Sequence, residues 1–539
     1  MTATLEEIAK SDKIKELYDE MPYASCPFDY NKPEHLCTIA TLFGMSPPAL
    51  ENARILELGC SDGGNSFRFA EIYPNSYTLG VDLSEVEIKN GQDILSQLKL
   101  KNMELKAMSI TDLDESYGKF DYIICHGVFS WVPDFVRDSI LEVSKKLLTE
   151  NGLAFVSYNT LPGWNMVNTV RELMLYHSAG FDNIQDKILQ SRAALNFLQS
   201  SLDGQDTPHA KFMGEMAKHM SEQKDYYLRH EYLGDENKAF YFHDVIDMVR
   251  AHGLEYLGDA DIQKMYTGTL PPEVAEKLNS AGDVVKVGQY IDFIQNTQFR
   301  STILCHQGAS IMRDISADLL KKLYFYCTIT SKPTEEGLAP NIVDDSHVNF
   351  YLDNVESNTL GTASPAIKAV FTTFAQNRGN ALSFDELAGG ANALVPEVSL
   401  ELIQAEILNN FMHLIFSGHI KIISNKPANI YEISDKPKIS ALSRFQIDRP
   451  STDGVYWITN ALNAIVAFKI QHIKLIKSLD GTKTIKQLQK QTLESFKKGE
   501  IVASENNEKI EDEARLKPIA DNLVNNTLGA LRQNFCLIA

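Results

Sequence analysis

Glu57-Leu58-Gly59-Cys60-Ser61-Asp62-Gly63-Gly64 follows the strand-like run Ala53-Arg54-Ile55-Leu56 and precedes a helix-like segment, Asn65 to Ile72. A second apolar run, Tyr77-Thr78-Leu79-Gly80-Val81, closes on Asp82. Strand, glycine turn, helix and a second strand ending in a carboxylate is the order of a nucleoside-binding βαβ unit. Gly59 and Gly63 let the backbone approach a ligand that any Cβ would push away. Asp82 can accept both hydroxyls of a ribose.

The turn also selects the nucleoside. Dinucleotide enzymes place G-x-G-x-x-G here, with a helix N-terminus against a pyrophosphate. This chain instead has Glu57-x-Gly59-x-x-x-Gly63. A carboxylate beside a pyrophosphate would be repelled, but it suits a ligand with a cationic end. S-adenosylmethionine (AdoMet), with its sulfonium and amino group, is such a ligand. The pattern resembles motif I of the Rossmann-like class I methyltransferases.

Downstream segments extend the unit. Met103 to Met108 reads as a third strand, with Ser109, Ile110 and Asp112 at its carboxyl end, where adenine would lie. Phe120 to Cys125 and Gly152 to Tyr158 read as the fourth and fifth strands, joined by a helix near Phe135 to Leu148. Ligands of open parallel sheets sit outside the carboxyl ends of the strands. That rim carries Glu57, Asp82, Ser109, Cys125-His126-Gly127 and Tyr158-Asn159. Met166 to Tyr226 has helical periodicity and interrupts the sheet. Gly253 to Gly258 and an antiparallel Gln298 to Cys305 would complete seven strands.

The totals bound the rest. The chain has 539 residues, 44% hydrophobic and 23% charged, which predicts several globular domains. No apolar run approaches the roughly 20 residues that span a bilayer, so no membrane insertion is expected. Met1 to Glu7 shows no basic-then-apolar leader. The seven cysteines include no C-x-x-C pair, which points to reduced thiols, no metal site and a cytoplasmic location. The net charge of −20 argues against a nucleic-acid partner and is compatible with lysine-bearing substrates.

The expected organisation is an N-terminal lid or strap over 1–40, an AdoMet-binding core over 41–165, and a helical insertion over 166–226 for dimerisation or a substrate wall. The remainder of the core follows over 227–310. A winged-helix-like middle domain spans 311–438, and a C-terminal domain spans 439–539. In the middle domain, an N-capped helix at Ser383 and a helix after Ser399 precede a hairpin, His419 to Ile423 and Ile430 to Ile433, around Ser424 to Pro427. A helix-like stretch from Thr459 starts a weaker echo of that order. The fold class is therefore α/β, a Rossmann-like seven-stranded sheet with a helical insertion and α+β winged-helix-like C-terminal domains.

His126-Gly127-Val128-Phe129-Ser130-Trp131-Val132-Pro133 and Ser157-Tyr158-Asn159-Thr160-Leu161-Pro162-Gly163-Trp164 are more specific strings. With Met21-Pro22-Tyr23, His230-Glu231-Tyr232-Leu233 and Phe242-His243-Asp244, they resemble bacterial class I methyltransferases carrying a methyltransferase regulatory region. Length and composition look most like the rickettsial protein-lysine methyltransferases, which act on a large outer-membrane surface protein. The resemblance implies a lysine-bearing protein substrate and a homodimer. One departure stands out: where related amine methyltransferases carry D/N-P-P-Y/F after the fourth strand, this chain has Cys125-His126-Gly127-Val128.

Methyl transfer from a sulfonium is an in-line displacement, and the protein's work is positioning. A lysine with a reference pKa of about 10.4 costs about 4.6 kcal/mol to neutralise at pH 7. A nearby sulfonium and burial both lower that cost. Candidate AdoMet contacts are Glu57 for the amino group, Gly59, Cys60, Gly63 and Asn65 at the turn, Asp82 and Leu83 at the ribose, Ser109 and Ile110 at adenine, and His126 and Gly127 beneath the methionine. Tyr23, Trp131, Tyr158 and Trp164 are the acceptor-channel candidates, with Tyr158 or water taking the amine's proton. A small-molecule or lipid methyltransferase and a non-catalytic AdoMet-binding regulator are the alternatives.

Overall fold

The computed structural model describes residues 15–16, 18–23, 25–234, 236–332, 340–353, 355, 357–449, 454–505 and 508–538. Seven strands build the main sheet: β1 (Arg54–Leu58), β2 (Tyr77–Asp82), β3 (Met103–Ala107), β4 (Phe120–Cys125), β5 (Leu148–Asn159), β6 (Leu254–Asp259) and β7 (Phe299–His306). Their spatial order is β3-β2-β1-β4-β5-β7-β6. The first five are parallel, and β7 runs antiparallel between β5 and β6.

Both faces of this sheet are covered, which is why the inner strands β1 and β4 are almost wholly buried, whereas edge strand β3 alternates buried and exposed positions. Neighbouring residues point to opposite sides. Ile55, Ile124 and Phe155 join the layer holding helix α1 (Pro33–Leu42). Leu56, Ile123 and Ala154 join the other layer, with Ile140 and Leu141 of a helix over Asp134–Leu147. The first layer continues into Phe325, Val370 and Phe411, so the region after β7 shares a core with the sheet.

The helix after the first glycine turn spans Phe67–Ile72, and the next, Glu85–Leu98, is capped by Ser84, whose hydroxyl accepts the Glu87 N–H. β5 starts at Leu148, four residues before the expected Gly152, because Leu148 pairs with Phe120 ahead of a register shift. Three helices, Gly163–Ser178, Ile184–Leu202 and Pro208–Ser221, then form a unit around Val170, Leu195 and Met220. Its outer side exposes Tyr176 (84%), Phe197 (70%) and Leu189 (62%), large apolar groups of the kind that mark a contact surface.

Two expectations beyond the sheet are corrected. Lys421–Ile423 does not form a hairpin with 430–433. It pairs with Tyr324–Tyr326, whose other edge holds Leu382–Ser383. The Ile430 N–H instead donates to the Leu537 carbonyl, drawing that segment to the C-terminal core. The stretch from Thr459 is a β-hairpin and not a helix, with strands Tyr456–Thr459 and Ile465–Phe468. Asn463 sits at its tip in the left-handed region (φ 57°), which asparagine tolerates. Helices Ile470–Lys477, Ile485–Lys497 and Glu513–Gln533 follow. Among the described residues no helix is long and apolar enough to cross a membrane.

Candidate active site

A cavity opens over the carboxyl ends of β1, β2 and β4, where the parallel topology places ligand sites. Glu57, Gly59, Cys60, Asn65, Asp82, Leu83, Ser109, Ile110, His126 and Gly127 line it, as do Tyr23 and Trp131. Gly59 has φ 70°, and a Cβ there would lie 2.4 Å from Val128 Cγ2. Only glycine fits that turn.

Three of the expected residues lie elsewhere. Gly63 (φ 83°) packs the turn against β3: a Cβ there would meet Met103 Cε at 2.8 Å. Tyr158 is 1% exposed in the core beneath the sheet, and its hydroxyl is 3.0 Å from Thr302 Oγ1. It cannot reach an acceptor in the cavity. Trp164 stands behind Trp131, with ring centroids 6.3 Å apart, and packs on the helical insertion.

The carboxylates of the cavity are held by short bonds. Glu57 accepts from Asn65 Nδ2 (3.0 Å) and Ser66 Oγ (2.5 Å). Burial pushes its carboxyl up to about 7, opposed by those two donors. Asp82 accepts the Ser61 N–H (2.8 Å) through one oxygen and the Ser84 N–H (3.0 Å) through the other. Burial also raises it. Glu87 accepts the Tyr23 N–H at 2.5 Å and is pushed up to about 8 by burial and then by Asp82.

His126 lies 3.2 Å from the Tyr30 hydroxyl through Nε2 and 2.9 Å from Ser157 Oγ through Nδ1. The Gly127 N–H donates to the same serine oxygen, fixing the loop after β4. Burial pulls the imidazole down to about 4, so it is neutral at pH 7. With neither proline nor a side-chain amide at this loop, the ring and the Ser157 hydroxyl set its shape.

Several wall residues were not among the sequence candidates, and three of them bear on the chemistry. Tyr18 comes from the N-terminal segment, which crosses the cavity with Tyr23, Cys26 and Phe28. Glu87 sits in the first turn of the helix after Asp82, a position the βαβ order itself marks. Glu231 lies on a π-helical turn, Leu228–Tyr232, inside one of the strings that carried the resemblance. Such turns often mark functional sites. The C-terminal hairpin also touches this region: Asn463 Nδ2 donates to the backbone oxygens of Phe28 and Asn65, each at 3.1 Å.

Comparison with known proteins decides the family. Residues 49–229 match a methyltransferase domain, 224–306 a predicted methyltransferase regulatory domain, and 435–535 the C-terminal winged helix domain of PKMT proteins. An uncharacterised protein of Rickettsia prowazekii is 42% identical over 508 residues, covering 94% of this chain and 91% of that one. The structure of PKMT2 from Rickettsia typhi is 41% identical, with a TM-score of 0.90 over 96% of this chain and 100% of that chain. The chain belongs to this family of class I AdoMet-dependent methyltransferases. PKMT2 has also been solved in complex with AdoHcy, with the same identity and coverage. In this methyltransferase the winged-helix match covers the C-terminal hairpin and its three following helices. The C-terminal winged-helix order expected as a weaker echo is borne out by this match, while over 311–438, where the order was read more strongly, the strand pairing is different.

Proposed function

We propose that this methyltransferase transfers methyl groups from AdoMet to lysine Nζ of a protein substrate, an outer-membrane surface protein of the bacterium. The observation that carries the reading is the charge of the cavity. Glu57, Asp82, Glu87 and Glu231 line it, without a lysine or arginine among the described residues. AdoMet brings a sulfonium and an amino group, and a lysine brings an ammonium. A carboxylate-rich cavity walled by Tyr18, Tyr23 and Trp131 suits both, since aromatic faces attract cations.

In this reading Asp82 holds the ribose hydroxyls with the lone pairs left by its two N–H bonds. Glu57 orients the methionine amino group through the Asn65 and Ser66 network. Leu83, Ser109 and Ile110 border the adenine, while Gly59, Cys60 and Gly127 allow close backbone approach. Neutral His126 closes the floor without repelling the sulfonium. Tyr23 and Trp131 flank the acceptor, and the N-terminal segment serves as the lid. Bound AdoMet supplies an activated methyl group; the chain aligns the amine with it and excludes water.

Likeness to PKMT2 along nearly the whole length supports a protein acceptor, because a small-molecule enzyme has no catalytic need for the C-terminal half. The exposed Tyr176, Leu189 and Phe197 on the helical insertion suit a homodimer contact. The setting that fits these features is the cytoplasm, before export of the substrate. The test is incubation with methyl-labelled AdoMet and an unfolded, lysine-rich fragment of the surface protein, followed by peptide mass spectrometry. Label on Nζ is expected. AdoMet binding without lysine label would overturn the acceptor assignment.

A further inference from the structure

Three of the four cavity carboxylates are engaged by the fold, as described for Glu57, Asp82 and Glu87. Glu231 differs. Among the described residues no donor lies within hydrogen-bonding distance of it, and burial alone pushes its carboxyl up to about 7. Glu231 is only partly buried, and a carboxylate drawn out of bulk water without a donor is costly unless a ligand completes it.

Its mounting is rigid. The π-helical turn that carries it is pinned by His230, whose Nε2 lies 2.7 Å from the Met21 carbonyl. The His230 ring stacks on Tyr18 at 4.7 Å and meets the edge of Tyr23 at 5.6 Å. Tyr23 in turn packs edge-on against Tyr226 at 5.8 Å. Burial pulls His230 down to about 4, so it supplies no positive charge. The other groups whose fields meet Glu231 are the phenols of Tyr18, Tyr23, Tyr227 and Tyr232, all raised by burial. Asp82, Glu87 and Arg229 also act on Tyr18. Arg229 Nη1 donates to the Leu233 carbonyl at 3.3 Å.

We propose that Glu231 binds the ammonium of the acceptor lysine and takes its proton before methyl transfer. The inference rests on the lysine reading above and fills the role that buried Tyr158 cannot. One proton passes from the ammonium to a Glu231 oxygen. The freed nitrogen lone pair then forms the new N–C bond as the donor's S–C bond breaks, and that bonding pair stays on sulfur as a neutral thioether. The product is a methylated ammonium, and Glu231 returns its proton to water. The tyrosine faces around it tolerate the larger methylated cation.

The experiment compares the full-length protein with Glu231→Gln and Glu231→Asp, using AdoMet and the unfolded surface-protein fragment. Glu231→Gln is expected to keep its AdoMet affinity while kcat/KM for the fragment falls about a hundredfold at pH 7, the range of a lost acid–base group. The deficit should shrink toward about pH 9.5, where more lysine is already neutral. Glu231→Asp should recover part of the rate, and it stands in if the Gln variant fails to fold. A Gln variant with unchanged kcat/KM, or one that loses AdoMet binding but keeps KM for the fragment, overturns the inference. Absence of lysine label with the unaltered protein instead overturns the acceptor reading on which it rests.

Discussion

Two places in this molecule bury several carboxylates, and they solve the problem in opposite ways. At the β6–β7 edge, Asp259 and Asp292 are fully buried with Arg300, itself 0% exposed. Arg300 Nε donates to Asp292 at 2.9 Å, a second guanidinium nitrogen pairs with Asp259, and the plane lies 3.9 Å over the Phe242 ring. That cluster brings its own cation. Among the described residues, the cavity brings four carboxylates and no cation. Charges completed within the fold serve the fold, whereas charges left incomplete await a ligand.

Breaking the first cluster should have the largest effect. Arg300→Met strands two buried carboxylates and should cost about 3–5 kcal/mol of stability in urea unfolding. A loss below about 1 kcal/mol would erase the contrast. In the cavity, Asp82→Asn should lower AdoMet affinity by about 1.5–3 kcal/mol in calorimetric titration, with little change in unfolding. An unchanged affinity would remove Asp82 from the ribose.

The glycine turn, the acid after β2 and the seven strands were legible because each is a local pattern with one geometric solution. The inner strands are covered on both faces and wrote apolar runs, while the edge strand β3 alternates, with Glu104 exposed. Side-chain direction at the strand ends was harder. Tyr158 and Asn159 sit beside the rim in sequence, but pleating turns Tyr158 into the core. Glu231 was illegible for another reason: a π-helical turn aims it, and nothing in residues 228–232 announces that turn. The hairpin misreading at Ser424 had a similar origin, since the partner of Lys421–Ile423 lies about a hundred residues upstream.

Smaller effects sharpen the same contrast. Tyr158→Phe removes only the bond to Thr302, so it should cost about 1 kcal/mol of stability and leave turnover unchanged. A large rate loss would return Tyr158 to the mechanism. Asn463→Gly keeps the left-handed turn but frees the backbone of Phe28 and Asn65. It should weaken AdoMet binding by about 0.5–1 kcal/mol. No change would make the C-terminal hairpin a bystander to the cavity.

The most direct measurement is the proton count on AdoMet binding, by calorimetry at pH 7 in two buffers of different ionisation enthalpy. Burial raises Glu57 to about 7 and Glu87 to about 8, so both are partly protonated in the empty protein at this pH. A cationic ligand in the cavity they share favours the carboxylates and expels protons. Affinity must then rise as pH increases through this window. Net proton release is expected, smaller for AdoHcy, whose sulfur is neutral. Zero release, or proton uptake, would contradict a cavity whose raised carboxylates are completed by the charge of its ligands.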